Sequence, residues 1–354
     1  MNPPSHIHDD LGFLLRYDNV AWYEAGHVRI LDRRIYPIRI EYVTCRTVRE
    51  VARAIADMVT QSGGPYIAAA MGMALAAHEA EGLTDEREIL SHLEEAAFLL
   101  SHARPTTQAK MERVTTAGLM AAREALEKGL FGETLTECLR QEAVKRLDEM
   151  HETGARTAAY LAERVPDKAT IMTMCFAETY IGHLLLACRQ AGKTVRLICP
   201  ETRPYFQGAR LTASVAADMG FEVTVISDNM PGYVMKEKKV DLFTSAADVI
   251  TLDGHVVNKV GTFQLALCAR YHGIPYYCTG NPNPAHPTID TIRIEERDPE
   301  DVLSYMGIRT TLPAVKGYYP AFDITPPDLV TGIATDRGIL LPSELSSYKK
   351  RTDL

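Results

Sequence analysis

The stretch 169–199, ATIMTMCFAETYIGHLLLACRQAGKTVRLIC, decides the fold. Residues 171–175 form a short apolar run, helical spacing follows up to Ala191, Gly192 interrupts it, and 195–199 is apolar again. Strands of roughly 4–6 residues alternating with helices of about 10 or more read as parallel β-α-β units. The alternation continues downstream: 210–219 is helical, 222–226, 239–242 and 249–252 are strand-like, 262–271 is helical, and 275–278 is strand-like. This predicts a parallel α/β sheet beginning near residue 165. Upstream the period is helical. Thr47-Val48-Arg49-Glu50 has the form of a capping box ahead of Val51, Ile55 and Met58. Further helices are expected over 67–81, 86–101, 110–128 and 135–161, with Pro65 and Pro105 marking interruptions. Residues 20–23, 27–31 and 36–40 alternate around a turn at Gly26 and predict a small antiparallel sheet.

The expected fold class is therefore α/β, in three parts. A loose, polar tail covers 1–18, a mainly helical domain with a small antiparallel sheet covers 19–164, and a Rossmann-like parallel α/β domain covers 165–354 and carries most of the site. Composition agrees with this organisation. A chain of 354 residues, 46% hydrophobic and 24% charged, has enough apolar material for two cores and is not disordered. The net charge of −8 and the lack of a polybasic run argue against a nucleic-acid partner. The longest apolar stretches, 67–77 and 183–188, are too short and interrupted to span a bilayer, so no membrane role is expected. The N-terminal MNPPSHIHDD lacks the basic and apolar regions of a secretory signal. Seven cysteines, an odd number irregularly spaced, do not form a disulfide framework. A cytoplasmic protein with reduced thiols is expected.

Several chemistries lack their sequence support. The chain has no G-x-G-x-x-G, P-loop, H-E-x-x-H, paired C-x-x-C or G-x-S-x-G motif, so neither a metal nor an organic cofactor is expected. What remains are polar residues at strand C-terminal ends, where open α/β sheets place their sites. Cys175 ends the first apolar run and precedes a helix; it is either a buried structural cysteine or a thiol that the helix dipole pushes toward thiolate. Cys188, Cys199, Cys268 and Cys278 lie inside apolar runs and read as structural. Asp248 follows Ser245-Ala246-Ala247 at a sheet edge; it is either a turn residue or a partly desolvated general acid or base. Asn258 and Lys259 precede the helix at 262–271 and could cradle a phosphate. The loop 201–210 offers Arg203, Gln207 and Arg210, and Arg104-Pro105-Thr106 adds a cation from the helical domain. Each cation alone would ordinarily be a solvated charge; together they point to a small phosphorylated substrate.

Several strings then carry a resemblance. They are Pro200-Glu201-Thr202-Arg203-Pro204 with Gln207-Gly208-Ala209-Arg210-Leu211-Thr212-Ala213, Val225-Ile226-Ser227-Asp228-Asn229-Met230, Val257-Asn258-Lys259-Val260-Gly261-Thr262, and Pro320-Ala321-Phe322-Asp323-Ile324-Thr325-Pro326. From Val20 to Asp336 the chain resembles methylthioribose-1-phosphate isomerases and their relatives, the ribose-1,5-bisphosphate isomerases and the regulatory subunits of translation initiation factor 2B. The resemblance implies aldose–ketose conversion of a sugar 1-phosphate, with Cys175 and Asp248 as the catalytic pair and Arg104, Gln207, Asn258 and Lys259 as substrate contacts. Asp248 would protonate the ring oxygen as the C1–O4 bond breaks, and Cys175 would serve the change at C1–C2. It also implies a homodimer and a place in methionine salvage. Three departures are visible. Ser62-Gly63-Gly64-Pro65 stands where the family has a phosphate-binding Arg-Gly-Ala-Pro, leaving the N–H groups of Gly63 and Gly64 for the anion. Cys175-Phe176-Ala177-Glu178 stands where the isomerases have Cys-Asn-Thr/Ala-Gly, and Val249 replaces an arginine that often follows the aspartate. Ribose 1,5-bisphosphate and 5-deoxyribose 1-phosphate are therefore alternative substrates, and a non-catalytic initiation factor 2B-like protein binding a sugar phosphate or nucleotide is the alternative role.

Overall fold

The computed structural model describes residues 7–104 and 108–348. The chain divides into two compact units, Met1–Glu152 and Thr153–Leu354.

In the first unit, β1 (Ala21–Glu24), β2 (His27–Leu31) and β3 (Tyr42–Cys45) form an antiparallel sheet in that order. The third strand is not the expected 36–40. Pro37 has no N–H to donate to a ladder, Ile38 and Ile40 are exposed, and pairing with β2 starts only at Tyr42. The loose tail also ends earlier than expected. Leu11, Leu14, Leu15 and Tyr17 are buried, and α1 (Tyr17–Val20) leads directly into β1. Helix α2 (Val48–Ala56) opens with the capping box: Glu50 N–H donates to Thr47 Oγ1 at 3.2 Å and Thr47 N–H to Glu50 Oε2 at 3.2 Å. Helix α3 (Gly64–Glu79) is apolar on every side and buried along nearly its whole length, so α4 (Glu86–His102), α5 (Gln108–Glu127) and the sheet can all pack on it. Pro65 sits in its first turn, where the missing N–H costs nothing. Pro105 and Thr106 lie outside the described residues. The long helix α6 (Glu133–Ala162) contains the division between the units. Its last turns belong to the second unit, where Lys193 Nζ donates to the carbonyls of Ala162 and Val165 at 2.7 Å each.

The second unit is built on a seven-stranded sheet of β4 (Ala169–Met174), β5 (Val195–Pro200), β6 (Glu222–Ile226), β7 (Leu242–Ala246), β10 (Tyr276–Thr279), β14 (Gly332–Thr335) and β15 (Gly338–Leu340). The spatial order is β15-β14-β10-β7-β4-β5-β6, parallel throughout except for β15. Strand β4 is buried from end to end, as its unbroken apolar run requires. Helix α7 (Thr179–Gln190) joins β4 to β5, and α8 (Ala213–Asp218) and α9 (Pro231–Glu237) continue the winding. β8 (Val249–Ile250), β9 (Val256–Lys259) and β13 (Phe322–Thr325) make a separate antiparallel sheet in the order β13-β9-β8. α10 (Thr262–Tyr271) follows β9; α11 (Glu300–Leu303) precedes the small hairpin of β11 (Ser304–Tyr305) and β12 (Ile308–Arg309).

Two local differences from expectation matter for the site. The strand expected at 239–242 starts only at Leu242, because Lys239 takes a left-handed turn (φ 49°) and Asp241 N–H is held by Thr170 O at 2.9 Å. The strand therefore runs through Ser245-Ala246 in the middle of the sheet, not at its edge. The helix expected at 210–219 begins instead as a wide π-turn over Gly208–Thr212. After β4 the chain winds outward through β5 and β6, then returns to β7 on the other flank of β4. The seam between β4 and β7 is thus the topological switch point of the sheet, and open α/β sheets place ligands at the C-terminal ends of such strands.

Candidate active site at the switch point

Cys175 follows the last residue of β4, and Asp248 lies just beyond the end of β7, the strand hydrogen-bonded beside it. Both leave the sheet at the same edge. Cys175 has a left-handed backbone (φ 60°), as have Glu178 (φ 49°), Thr202 (φ 64°) and Phe206 (φ 56°) in the loops after β4 and β5. Four non-glycine residues in this costly region, gathered at one edge, are the kind of local strain that binding sites accumulate. Gly208 shows how tightly the second loop is drawn in. A Cβ there would lie 1.8 Å from Pro200 O, so only glycine lets the π-turn pass over the end of β5. Thr212, at the end of that turn, donates its hydroxyl to Cys175 O and ties the two loops together.

The thiol behaves differently from the dipole-activated thiolate considered above. Burial raises the Cys175 pKa to about 11; the Lys259 ammonium opposes the rise and the Asp248 carboxylate adds to it. The reason is distance along the chain. Helix α7 begins only at Thr179, so its dipole acts beyond the thiol, while Cys175 packs against the apolar cluster that contains Met172 and Met174. Cys175 therefore holds its proton at neutral pH while keeping part of its surface open. Asp248 is exposed rather than desolvated, and its N–H is anchored to Val257 O at 2.9 Å.

Strand β9 supplies the polar wall. Asn258 and Lys259 are both buried, at 5% and 3% exposure, on a strand otherwise made of valine. Asn258 Nδ2 donates to Thr262 Oγ1 at 3.0 Å, and Lys259 Nζ donates to Tyr319 OH at 3.2 Å. Burial brings the Lys259 pKa down to about 8, with Cys175 working against the fall and Arg297 with it. Gly261, left-handed at φ 105°, turns the chain into α10; its N–H donates to Asp323 Oδ2 at 2.6 Å. Burial pushes the Asp323 carboxyl up to about 6. Gln207 is 6% exposed, and its Oε1 has no hydrogen-bond partner among the described residues. A buried amide oxygen in that condition is costly unless a ligand or water completes it.

Cys175, Asp248 and Lys259 thus act on one another electrostatically, with Asn258 beside Lys259 in β9. Arg203, expected as a substrate contact, is held within the protein through its Nη2. Its guanidinium donates to Ser304 O at 3.0 Å and reaches the carbonyls of Asp301 and Val302, so it closes the C-terminal end of α11. Gly63, Gly64 and Arg104 belong to the first unit. Gly63 caps α3, and Gly64 packs so closely that a Cβ would meet Thr60 Oγ1 at 1.8 Å. Arg104 is half-buried just past the end of α4. Sequence reasoning missed Arg297 and Tyr319, which bear on Lys259 and Cys175 from a segment with no motif of its own. Among the described residues no group of three or more His, Cys, Asp or Glu side chains could hold a metal ion.

The doubly wound unit and the cluster at its switch point define a class: α/β proteins that bind small ligands at the ends of parallel strands. Within it, residues 60–342 match the model of the initiation factor 2 subunit family, and the chain belongs to that family. It is 38% identical to the methylthioribose-1-phosphate isomerase of Thermotoga neapolitana over 95% of this chain and 98% of that one. It is 37% identical to the enzyme of the same name from Desulforudis audaxviator, over 91% and 94% of the two chains. Among solved structures, the 5-methylthioribose 1-phosphate isomerase of Pyrococcus horikoshii OT3 superposes with a TM-score of 0.80 at 33% identity, covering 92% of each chain. The delta subunit of translation initiation factor eIF-2B from A. fulgidus superposes at 0.78 with 30% identity, over 92% and 96%.

Proposed function

We propose that the protein is an aldose–ketose isomerase of a sugar 1-phosphate, with methylthioribose 1-phosphate as substrate. The observation that carries this reading is the meeting of a protonated thiol, a carboxylate and a buried ammonium at the switch point between β4 and β7. The reaction opens the C1–O4 bond with a proton to O4, moves one hydrogen from C2 to C1, and takes a proton from the 2-hydroxyl. The ester at C1 prevents the spontaneous ring opening of a free aldose, so the protein must both give and accept a proton. The raised thiol pKa favours Cys175 as the donor. The Asp248 carboxylate, open to a ligand, is then the acceptor; this exchanges the two roles that the resemblance alone implies. Lys259, Asn258 and Gln207 would hold the phosphorylated sugar. Cytoplasmic location and a step in methionine salvage accompany this reading. All seven cysteines are free, which supports a reducing compartment.

The test is ketose formation from methylthioribose 1-phosphate, ribose 1,5-bisphosphate and 5-deoxyribose 1-phosphate. The first is expected to turn over fastest, with Cys175→Ser and Asp248→Asn each lowering kcat by about 100-fold or more. No turnover of any of the three by the wild type would move the protein to the binding role of the eIF-2B-like relatives. A homodimer is proposed as well. Met230, Tyr233, Phe263, Leu267 and Tyr271 are exposed on α9, α10 and the turn before α9, and helices α9 and α10 pack together. Light scattering should give twice the chain mass, and Tyr271→Glu with Leu267→Glu should return the monomer.

A further inference from the structure

Lys259 is the last residue of β9 and lies opposite Phe322 in the β9–β13 ladder. The chain just before β13 is strapped to a second segment: Arg297 N–H donates to Tyr319 O at 2.9 Å, and Ala321 N–H donates to Glu295 O at 2.8 Å. Val260 N–H donates to Ala321 O at 3.1 Å, so three backbones are locked in register. That register brings four side chains together. Lys259 Nζ donates to Tyr319 OH at 3.2 Å and lies 5.3 Å from the centre of the Phe322 ring. The Arg297 guanidinium lies 5.5 Å from that ring and 5.7 Å from the Tyr205 ring, and it is paired with Glu295 at 2.8 Å. Two cations therefore lie close to one aromatic ring, and the buried phenol of Tyr319 lies beside them.

We propose that Tyr319 and Arg297 are positioning residues for Lys259: the phenol holds the ammonium without neutralising it, and the guanidinium, held near the same Phe322 ring, opposes it so that its charge is directed at an anionic substrate. This rests on the isomerase reading and deepens it. A carboxylate at the position of Tyr319 would form a buried ion pair and spend the charge internally. A neutral acceptor fixes the direction of Nζ and leaves its other N–H donors for a phosphoryl oxygen. The like charge of Arg297, only partly offset by its ion pair with Glu295, opposes the charge of Lys259, and an arriving dianion would relieve that repulsion. The other charged and titratable groups facing Lys259 are Cys175 after β4, Asp248 after β7, Glu295 beside Arg297, and Asp323 on β13. Burial sets the Lys259 pKa near 8, and Arg297 contributes to the lowering.

The two positioning residues should act on Lys259 with opposite sign, which a merely structural role would not produce. The full chain, labelled with 13Cε-lysine, is titrated by NMR, and the Lys259 resonance is identified by its loss in Lys259→Met. Tyr319→Phe removes an acceptor of the charged form and is expected to lower the Lys259 midpoint by about one pH unit. Arg297→Gln removes a like charge and is expected to raise it by a similar amount, about one unit, whereas Arg297→Lys keeps the charge and should stay near the wild-type value. The alkaline limb of kcat/KM for methylthioribose 1-phosphate should move in the same two directions. Shifts of the same sign, or no shift in either variant, would overturn the proposal. If the wild type turned over no sugar phosphate, the isomerase reading would fall while the NMR titration still decided the fate of the cluster.

Discussion

The reactivity of Cys175 can be predicted from its surroundings. A thiol that loses its proton near pH 11 rather than near 9 carries about one-hundredth of the thiolate at neutral pH. Alkylation proceeds through thiolate, so carbamidomethylation of Cys175 by iodoacetamide at pH 7 should be about 100-fold slower than that of an unperturbed cysteine. The rate should still be climbing at pH 10. The neighbours fix the sign of two variants. Asp248→Asn removes the carboxylate that raises the thiol, so the alkylation midpoint should fall; Lys259→Met removes the ammonium that lowers it, so the midpoint should rise. The measurement is fragment-resolved mass spectrometry, because Cys188 shares the tryptic peptide of Cys175. A midpoint at or below about 8, the range of a helix-activated thiol, would refute the burial argument and return Cys175 to the dipole-favoured thiolate.

Two further expectations concern the loops around it. Gly208→Ala places a methyl group 1.8 Å from Pro200 O, so the π-turn must move. Urea unfolding should show a loss of about 1–3 kcal/mol, with KM raised because Gln207 and Thr212 move with the turn. Glu178→Gly should act the other way. Glu178 sits at φ 49° and ψ −118°, a conformation suited to glycine. Relief of about 1–3 kcal/mol of strain, less about 0.5–1 for the added freedom of the unfolded chain, leaves a net gain near 1 kcal/mol. That corresponds to a rise in Tm of roughly 2–4 °C for a unit of this size, and a lower Tm by differential scanning calorimetry would contradict the strain assignment.

The parts of the fold that were legible in the sequence are those in which burial and sequence are locally linked. Strand β4 is buried on both faces, so its apolar run has no interruption to obscure it. Thr47 and Glu50 bond to each other within one helical turn, so four consecutive letters suffice. The readings that failed depend on partners far away in the chain. The strand expected at 239–242 is shifted because Asp241 is held by Thr170, and the tail is shorter because Leu11 and Leu14 find a core that no local period announces. The site divides in the same way. Cys175, Asp248, Asn258 and Lys259 stand at strand ends that the alternation of elements marks out. Arg297 and Tyr319 are carried to Lys259 by a backbone pairing between irregular segments, which has no sequence period.

The electrostatics of Cys175 follow from this topology. The reversal of strand order between β4 and β7 opens a crevice at the sheet's C-terminal edge, but the strands flanking it are buried along almost their whole length. Whatever leaves β4 first, here a thiol, is desolvated by the sheet; what leaves β7 two residues later, here a carboxylate, has reached solvent. The proton therefore resides on the sulfur of Cys175, with the Asp248 carboxylate beside it adding to the rise set by burial. A buried cation would destabilise such an arrangement if it formed a strong pair with the thiolate, since it would draw the proton off. Lys259 avoids this because burial and Arg297 weaken its own hold on charge, while the phenol of Tyr319 engages its Nζ. The helix dipole is kept away from the thiol by the loop after β4. Glu178 spaces α7 away from Cys175 by an unfavourable turn, and a tighter connection would have brought four free N–H groups to the thiol and reversed its chemistry.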